Sequence, residues 1–480
     1  MSIQKTIPYT ILFFSSSLYA QGIILNDDEL RTDLHWLNQQ GVIQLSTSTW
    51  PLSGDEVERA LLQANVNNSN QEAVLQQVQM RLNQLNEKLV LDLAVDSDEN
   101  PVMQQFGDDI KAQYAAALAL NLGAENWDAQ LKVTVEKDPY IENDQDVQLE
   151  GSYVAGKLWN QWLIAGQIPT YWGPGHDGSL IRGDASRPVY GVTMQRAEQN
   201  AFETPWLSWI GQWQYQAFVG QLDDYTAVPD TKLIGFRLTA QPLPNLELGA
   251  SRIIQWGGEG RSESLSSLWD AMVGNDNVYG DTENPSNQIA GFDARLNLQQ
   301  WTKIPMGIYA QYVGEDEAGY LPSKKMYLAG VDYSNAYKNK PYQIYAEWVD
   351  TRTNGEVDGI SYNHSVYTDG YYQHGYPLGH VIGGDGEMVS VGGHIQLDRV
   401  NRIKARFMSA TVNQSLSANR NHHAFDYDDE IKAADITWTH QLQKNIPLKL
   451  QGWYLDSKKH GDDAGVSLGI ELPLNSSWFK

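Results

Sequence analysis

A chain of 480 residues with 59 Asp and Glu against 34 Lys and Arg carries a formal charge of -25. That balance excludes electrostatic docking on nucleic acid or on anionic lipid, since both need a basic footprint; with no cysteine, disulfides and thiolate metal sites are excluded as well. Sixteen Trp and 25 Tyr at a mean hydropathy of -0.45 are large apolar side chains diluted among polar ones, the profile of a transmembrane barrel with a lipid face and a wet lumen, and equally that of a secreted sugar-binding β protein.

The chain opens with Lys5, an apolar stretch from Ile7 to Leu18 and the small residues Ala20 and Gly22, which predicts a signal peptide over 1–20 with a cut after Ala20 or Gly22. From 26 to 89 the apolar period is helical. Asn26 with Glu29, Ser53 with Glu56 and Ser69 with Glu72 each have the spacing of a capping box, so three helices are expected. Leu75, Val78, Leu82, Leu85 and Leu89 line one face of the last helix, which must therefore pack on the other two. Residues 23–90 form a small helical bundle in this reading, with a structural role.

Beyond Val90 the period changes to two. Ile308, Ala310 and Tyr312 alternate with Gly307, Tyr309 and Gln311; Ile344, Ala346 and Trp348 do the same, and Val466, Leu468, Ile470, Leu472 and Leu474 close the chain. No apolar run reaches the ~18 residues of a membrane helix, so a bilayer would be crossed by strands. Short connections such as Leu243-Pro244-Asn245 alternate with long ones over 256–287 and 350–387, the asymmetry of outer-membrane barrels. Residues 91–480 have room for roughly 16 to 18 strands of ~10 residues with uneven loops. The fold class expected is mainly β, a transmembrane antiparallel barrel behind an N-terminal helical bundle. A soluble propeller would be helped by a repeat of ~40 to 50 residues, and none is found.

Four segments carry candidate chemistry. In 159–200, Trp159, Trp162 and Trp172 read as a strand entering the loop WGPGHDG, followed by Arg182, Asp184, Arg187, Arg196 and Glu198; charges beside flat aromatic faces suit a hydroxylated or carboxylated ligand, or else an inward salt network bracing the barrel. In 254–261, Trp256, Glu259 and Arg261 flank a glycine turn and suit a pyranose ring, or else form a tightly turned strand end. It lacks the lysine and hydroxyl of a phosphate loop. Glu315, Asp316 and Glu317 follow a strand expected to end at Val313; they could supply paired carboxylates or cation ligands, although a solvated loop is the plainer reading. The stretch Tyr367 to Glu387, with Tyr371 and Tyr372, suits a sugar-binding loop or one that covers a lumen. His374 and His380 lack a third ligand at metal spacing and His422-His423 stands as a pair, so no metal is expected. No nucleophile motif is present, and no catalytic residue is nominated.

The runs WNQWLIAGQIPTYWGPGHDGSLIRGDASRP, QRAEQ, IIQWGGEGR, VGEDEAGYLPS, DTRTN and YTDGYYQHGYPLGHVIGGDGE, in this order, together with LNDDELRTDLHWLNQQGVIQLSTSTWPLS near the start, resemble the capsule-assembly Wzi family of Gram-negative outer membranes. The resemblance implies a barrel of about eighteen strands with a periplasmic bundle, acting as a lectin-like protein that attaches or organises capsular polysaccharide. The partners it implies are that polysaccharide, outer-membrane lipid and the capsule export machinery, with a monomer as the unit and neither nucleic acid nor cofactor. It supplies no catalytic residues. The candidate contacts are Trp172, Arg182, Asp184, Trp256, Glu259, Arg261, Glu315 and Asp316, to which Tyr371 and Tyr372 are added from the fourth segment. Two readings from other classes compete: a porin for sugars or small solutes, and an exopolysaccharide-degrading enzyme.

Overall fold

A computed structural model describes residues 21–98, 106–107, 111–141, 145, 147–274, 286–318, 321–353, 359–414, 425, 427–443 and 445–474. The stretch 1–20 expected to be a signal peptide, the His422-His423 pair and Phe479 lie outside the described residues.

Three helices follow the N-terminal turn: α1 Asp28–Gln39, α2 Gly54–Leu62 and α3 Ser69–Leu85. Two of the starts differ from the capping boxes by one residue. Asp27 rather than Asn26 caps α1, accepting from the Leu30 N–H at 2.7 Å. Asn68 rather than Ser69 caps α3, accepting from the N–H groups of Asn70 and Gln71 at 3.0 Å. Ser53 stands at the start of α2 without a side-chain cap bond. Asn, Asp and Ser cap about equally well, so the residue with extended backbone at the helix start takes the role: Asp27 at φ -138 and Asn68 at φ -155. The helices bury Leu30, Leu34, Trp36, Leu37, Val57, Val74 and Val78 against one another and against Trp50 and Tyr171.

From Leu89 the period-two pattern gives strands that close on themselves. Eighteen antiparallel strands form the barrel when Val147–Gln148 and Tyr153–Leu158 are taken as two segments of one strand, since both pair with Trp127–Pro139. Closure joins the last strand, Gly461–Pro473, to the first, Leu89–Asp96, with Val90 opposite Pro473 and Asp96 opposite Ser467. Closure removes every edge, so each backbone group can be satisfied without water. Along each strand one set of side chains faces out, among them Phe236, Leu238, Phe292, Ile308, Ile344, Phe407 and Ile436, all exposed. The alternate set faces in and is polar: Arg237, Asp293, Gln216, Gln311, Glu347 and Arg406 are buried. Trp127, Trp159, Trp206, Trp209, Trp301 and Tyr337 are exposed at one rim and Tyr114, Tyr190 and Tyr454 at the other, the two aromatic girdles of a membrane barrel. No helix among the described residues is long and apolar enough to cross a membrane.

One rim carries short turns such as Glu125–Asn126, Pro244–Asn245 and Lys338–Asn339. The helices plug the barrel at that rim: Trp36 Nε1 donates to the carbonyls of Asn335 and Tyr342 at 3.2 Å, and Asn445 Nδ2 to Glu87 at 2.5 Å. From the other rim the segment 168–189 dips into the lumen, and its Tyr171–Trp172 pairs with Thr49–Trp50 of the plug. Over that lies 359–386, with Tyr362 Oη donating to the Leu180 carbonyl at 2.6 Å and Tyr371 Oη to the Ile181 carbonyl at 2.8 Å. Plug, inner loop and outer loop thus stack along the axis and fill most of the bore.

Ion pairs hold the plug to the wall. Arg81 on α3 donates to Asp27 at 2.6 and 2.9 Å and to Glu471 of the last strand at 2.6 Å. Burial would raise the Asp27 carboxyl, but the Arg81 guanidinium outweighs it and holds the pKa below the usual 3.8. A depressed folded pKa stabilises above the unfolded value and is lost as pH falls through the folded one. Asp27→Asn is therefore expected to cost about 1.5 to 3 kcal/mol, the range for a hydrogen bond to a charged group, at neutral pH. The difference from the native chain should shrink below about pH 4 and vanish once both native and unfolded carboxyls are protonated. Unfolding temperatures of both chains measured across that range check it; an equal gap at every pH would remove Asp27 from the balance.

Candidate functional site

The structure separates the sequence candidates by depth. Trp172, predicted to share a strand with Trp159 and Trp162, does not. Trp159 sits in a two-residue turn with φ 54, Trp162 is on the strand Gln161–Gln167, and Trp172 belongs to the separate inner pair. Trp172 is 1% exposed, with Nε1 donating to Gln216 Oε1 at 2.5 Å. Its backbone bridges to Arg182, the Trp172 N–H donating to the Arg182 carbonyl at 3.0 Å. Tyr371 and Tyr372 are buried in the outer loop, and Glu315 is buried on the wall, accepting from the Tyr362 N–H at 2.5 Å. The acidic run is no solvated loop: its strand continues to Ala318. The side chains of Asp316 and Glu317 lie outside the described residues.

Arg182 and Asp184 line a cavity of about 290 Å³ between the plug, the inner loop and the first and last strands, with Glu150, Arg187, Lys449 and Glu471 around it. Asp184 Oδ2 accepts from the Gly107 N–H at 3.0 Å and from Asn26 Nδ2 at 2.8 Å, while Arg182 Nη1 and Asp184 Oδ1 find no hydrogen-bond partner among the described residues. Burial raises the Asp184 carboxyl above its usual range against those donors. Arg187 is fully buried and braces the wall, donating to Glu136 at 2.7 Å, to Glu150 at 2.5 Å and to the Ile141 carbonyl. Arg196 lies at the opposite rim, over the Trp213 ring at 3.9 Å.

Glu259 and Arg261 belong to neither layer. The strand Leu246–Trp256 ends into a turn that needs Gly257 at φ 67 and Gly258 at φ 99, backbone regions closed to most side chains. The turn presents exposed Glu259 and half-buried Arg261 at the long-loop rim. Arg261 lies over the Tyr367 ring at 5.2 Å, and the Tyr367 hydroxyl donates to the Gly257 carbonyl at 3.1 Å. Tyr367 in turn faces Tyr225 at 6.5 Å, whose hydroxyl donates to the Gly370 carbonyl at 2.8 Å. Three loops, 222–231, 257–264 and 364–373, therefore meet at the roof, where Tyr225 and Tyr367 are buried between them and Glu259 and Arg261 reach the outer surface. Trp256 stands beside it but on the outward face of its strand, half-buried. The four residues Trp172, Trp256, Arg182 and Arg261 thus do not share one surface, because the first loop folds into the bore while the second turns at the rim.

A further cluster was invisible to spacing. His35 of α1, His176 of the inner loop and Asp332 of the wall bring ligand-type atoms within 4.8 Å of one another. Burial lowers both imidazoles below their ordinary value. The Asp332 oxygens are engaged by Arg295 Nη2 at 2.7 and 2.8 Å, by Gln39 Nε2 at 2.6 Å and by His176 Nε2 at 3.0 Å. The cluster works as a latch joining plug, loop and wall, and only its three-way distance, not any local motif, identifies it. His374 and His380 are buried in the outer loop, where burial takes His380 down to about 4.

Fold and site together define an outer-membrane β-barrel whose bore is filled from both rims and roofed by polar, aromatic loops. The chain belongs to the Wzi capsule assembly protein family, whose family model matches residues 86–467. It is 44% identical over 461 residues to an uncharacterised 55.8 kDa protein of the cps region of Klebsiella pneumoniae, covering 95% of this chain and 90% of that one. Its structure is similar to that of Wzi of Escherichia coli, described as an outer-membrane protein involved in group 1 capsule assembly and a carbohydrate-binding β-barrel. There the TM-score is 0.88 at 42% identity, over 95% of this chain and all of the other.

Proposed function

We propose that the chain binds capsular polysaccharide at its long-loop rim and helps hold or organise it at the cell surface without cleaving it. The observation that carries this reading is the filled bore under a loop roof. A diffusion porin needs an open lumen, whereas here the plug, 168–189 and 359–386 pack on one another through Tyr171, Tyr362 and Tyr371. The carbohydrate binding described for the E. coli relative supports the same reading. Glu259 and Arg261, braced from beneath by the buried Tyr367 and Tyr225, are the contacts we assign at the rim, since sugar hydroxyls and carboxylates need charged hydrogen-bonding groups. Trp172, Arg182, Asp184, Glu315, Tyr371 and Tyr372 act beneath them as the support that fixes the loops.

The bundle faces the periplasm in this reading, where short turns conventionally lie, and offers its outer side to the capsule export machinery, one chain per unit. Two experiments test the proposal. Purified protein should retain a defined capsular polymer, release it at unchanged chain length and show no porin-like conductance in planar bilayers; shortened polymer would make it an enzyme, and steady conductance without retention a porin. The orientation has its own test. Asn67→Cys, on the exposed connection before α3, should resist impermeant thiol reagents on intact cells and react once the outer membrane is opened; equal labelling in both states would put the bundle outside.

A further inference from the structure

The loop between Leu246–Trp256 and Asn287–Asn297 contains a helix, Leu265–Val273, that packs on the outside of the barrel. Its start is fixed by Ser264, whose hydroxyl accepts from the Ser267 N–H at 3.1 Å, and its end by Gly274 in the left-handed conformation at φ 73. The alternation of the neighbouring strands tells which wall it covers. Ser251, Ile253 and Gln255 face the bore, so Arg252, Ile254 and Trp256 face outward, and Gln288, opposite Ile254, does so too. Outward residues of this barrel are exposed, as Leu248 and Phe292 are lower on the same strands; yet Ile254 is 4% exposed and Gln288 5%. The helix buries them. It also supplies a partner for Arg252, whose Nη2 donates to the Ala271 carbonyl at 3.3 Å and to Gln288 Oε1.

A guanidinium facing lipid without such a partner is costly. The helix solves that locally and exchanges the charged wall for an apolar one. Its buried residue is Ala271, while Leu265, Trp269, Met272 and Val273 at spacings of 4, 3 and 1 form a face that is exposed. That face adds to the outward apolar belt made by Leu248, Phe292, Phe236 and Leu238, and it carries a tryptophan, a residue enriched at membrane–water boundaries.

We propose that helix Leu265–Val273 is an interfacial collar, seated in the outer leaflet at the boundary between headgroups and acyl chains, and that lipid is what covers its apolar face. The inference rests on the barrel lying in the outer membrane and is independent of what the rim binds. An amphipathic segment with bulky apolar residues on its free side lies in such a boundary and buries that side in it. The collar would also fix the height and roll of the long-loop rim relative to the membrane surface.

Because the chain has no cysteine, a single introduced thiol gives a site-specific environment-sensitive fluorophore on the full-length barrel in lipid vesicles. Trp269→Cys and Met272→Cys are the test positions, Leu248→Cys the belt reference and Lys458→Cys, at an exposed turn of the long-loop rim, the aqueous reference. Boiling-dependent mobility selects assembled barrels of each. Labels at 269 and 272 should lose more emission to quenchers carried high on lipid acyl chains than to aqueous iodide, as the label at 248 does. If they follow 458 instead, the collar stands in water and the proposal falls. If they are shielded from both quenchers and the thiols at 269 cross-link between chains, a second copy covers the face and the proposal falls equally. The two positions sit on one face, so agreement between them guards against a substitution that disturbs the helix locally.

Discussion

Asp293→Ala should lower the unfolding temperature of the barrel more than any surface substitution, by a loss of ~3 to 5 kcal/mol, because it leaves a buried guanidinium uncompensated. Arg237 is fully buried, and its donors are all engaged. It donates to Asp293 at 2.6 and 3.0 Å, to Ser251 Oγ at 2.8 Å, to Thr49 Oγ1 at 2.8 Å and to Ser48 Oγ at 3.0 Å. Two of those five acceptors lie on the plug segment that leads into Thr49–Trp50. Removing Asp293 therefore strikes the wall and the plug at once. The connection between α2 and α3 should become cleavable by protease at temperatures where the native chain resists. The pair replacement Arg237→Met with Asp293→Leu is the control: removing both charges should recover much of the loss, since apolar groups of similar volume avoid the desolvation penalty. Boil-free electrophoresis over a temperature series reads both. A double variant no better than the single one would show that the hydrogen bonds to Ser48 and Thr49, rather than the orphaned charge, carry the stability.

That cluster also shows where the sequence stops being legible. The alternation that marks strands depends only on which side of a pleat a residue takes, and it is written locally. The strands and the short-turn rim follow from it, whereas the pairing of Val90 with Pro473 that closes the barrel is seen only in the structure. The helical starts were legible to within a residue, because Asp27 and Asn68 stand beside the serine and asparagine that fit the box spacing. What is not local is which connection folds inward. WGPGHDG and YTDGYYQHGYPLGH have the glycine, aromatic and acid content of either a binding loop or a plug, and composition is the same in both cases. Only the pairing of Tyr171–Trp172 with Thr49–Trp50, and the contact of Tyr362 and Tyr371 with 180–181, turns those residues into interior packing. Charged and aromatic residues crowd around Trp172 and Arg182 in the sequence, but such crowding is also what a filled bore needs, since every polar group there must find a partner. The outward helix Leu265–Val273 lies within 256–287, which reads in the sequence as one long connection.

The division into support and contact makes opposite expectations for Trp172 and Arg261, two of the candidate contacts read from the sequence. Trp172→Ala removes a buried indole whose ring packs against Gly235 and Ile253 and whose Nε1 satisfies Gln216. A loss of ~3 to 5 kcal/mol follows for a large aromatic removed from a core, with the yield of assembled barrel falling alongside, while polymer retained per assembled barrel stays at the native level. Arg261→Ala should behave the other way. Half-buried at the rim, it should change the unfolding temperature by no more than ~0.5 kcal/mol would. Retention of polymer should fall by the ~1 to 3 kcal/mol of one good contact, about 5- to 150-fold in affinity. Repetition along the polymer masks part of that loss through avidity, so oligomers of a few repeats are the better ligand. Measuring unfolding temperature and retention on both variants separates the roles. Full retention by Arg261→Ala, with Trp172→Ala losing retention before stability, would move the contact surface from the rim into the bore and favour the cavity beside Arg182 and Asp184 as the place where sugar is held.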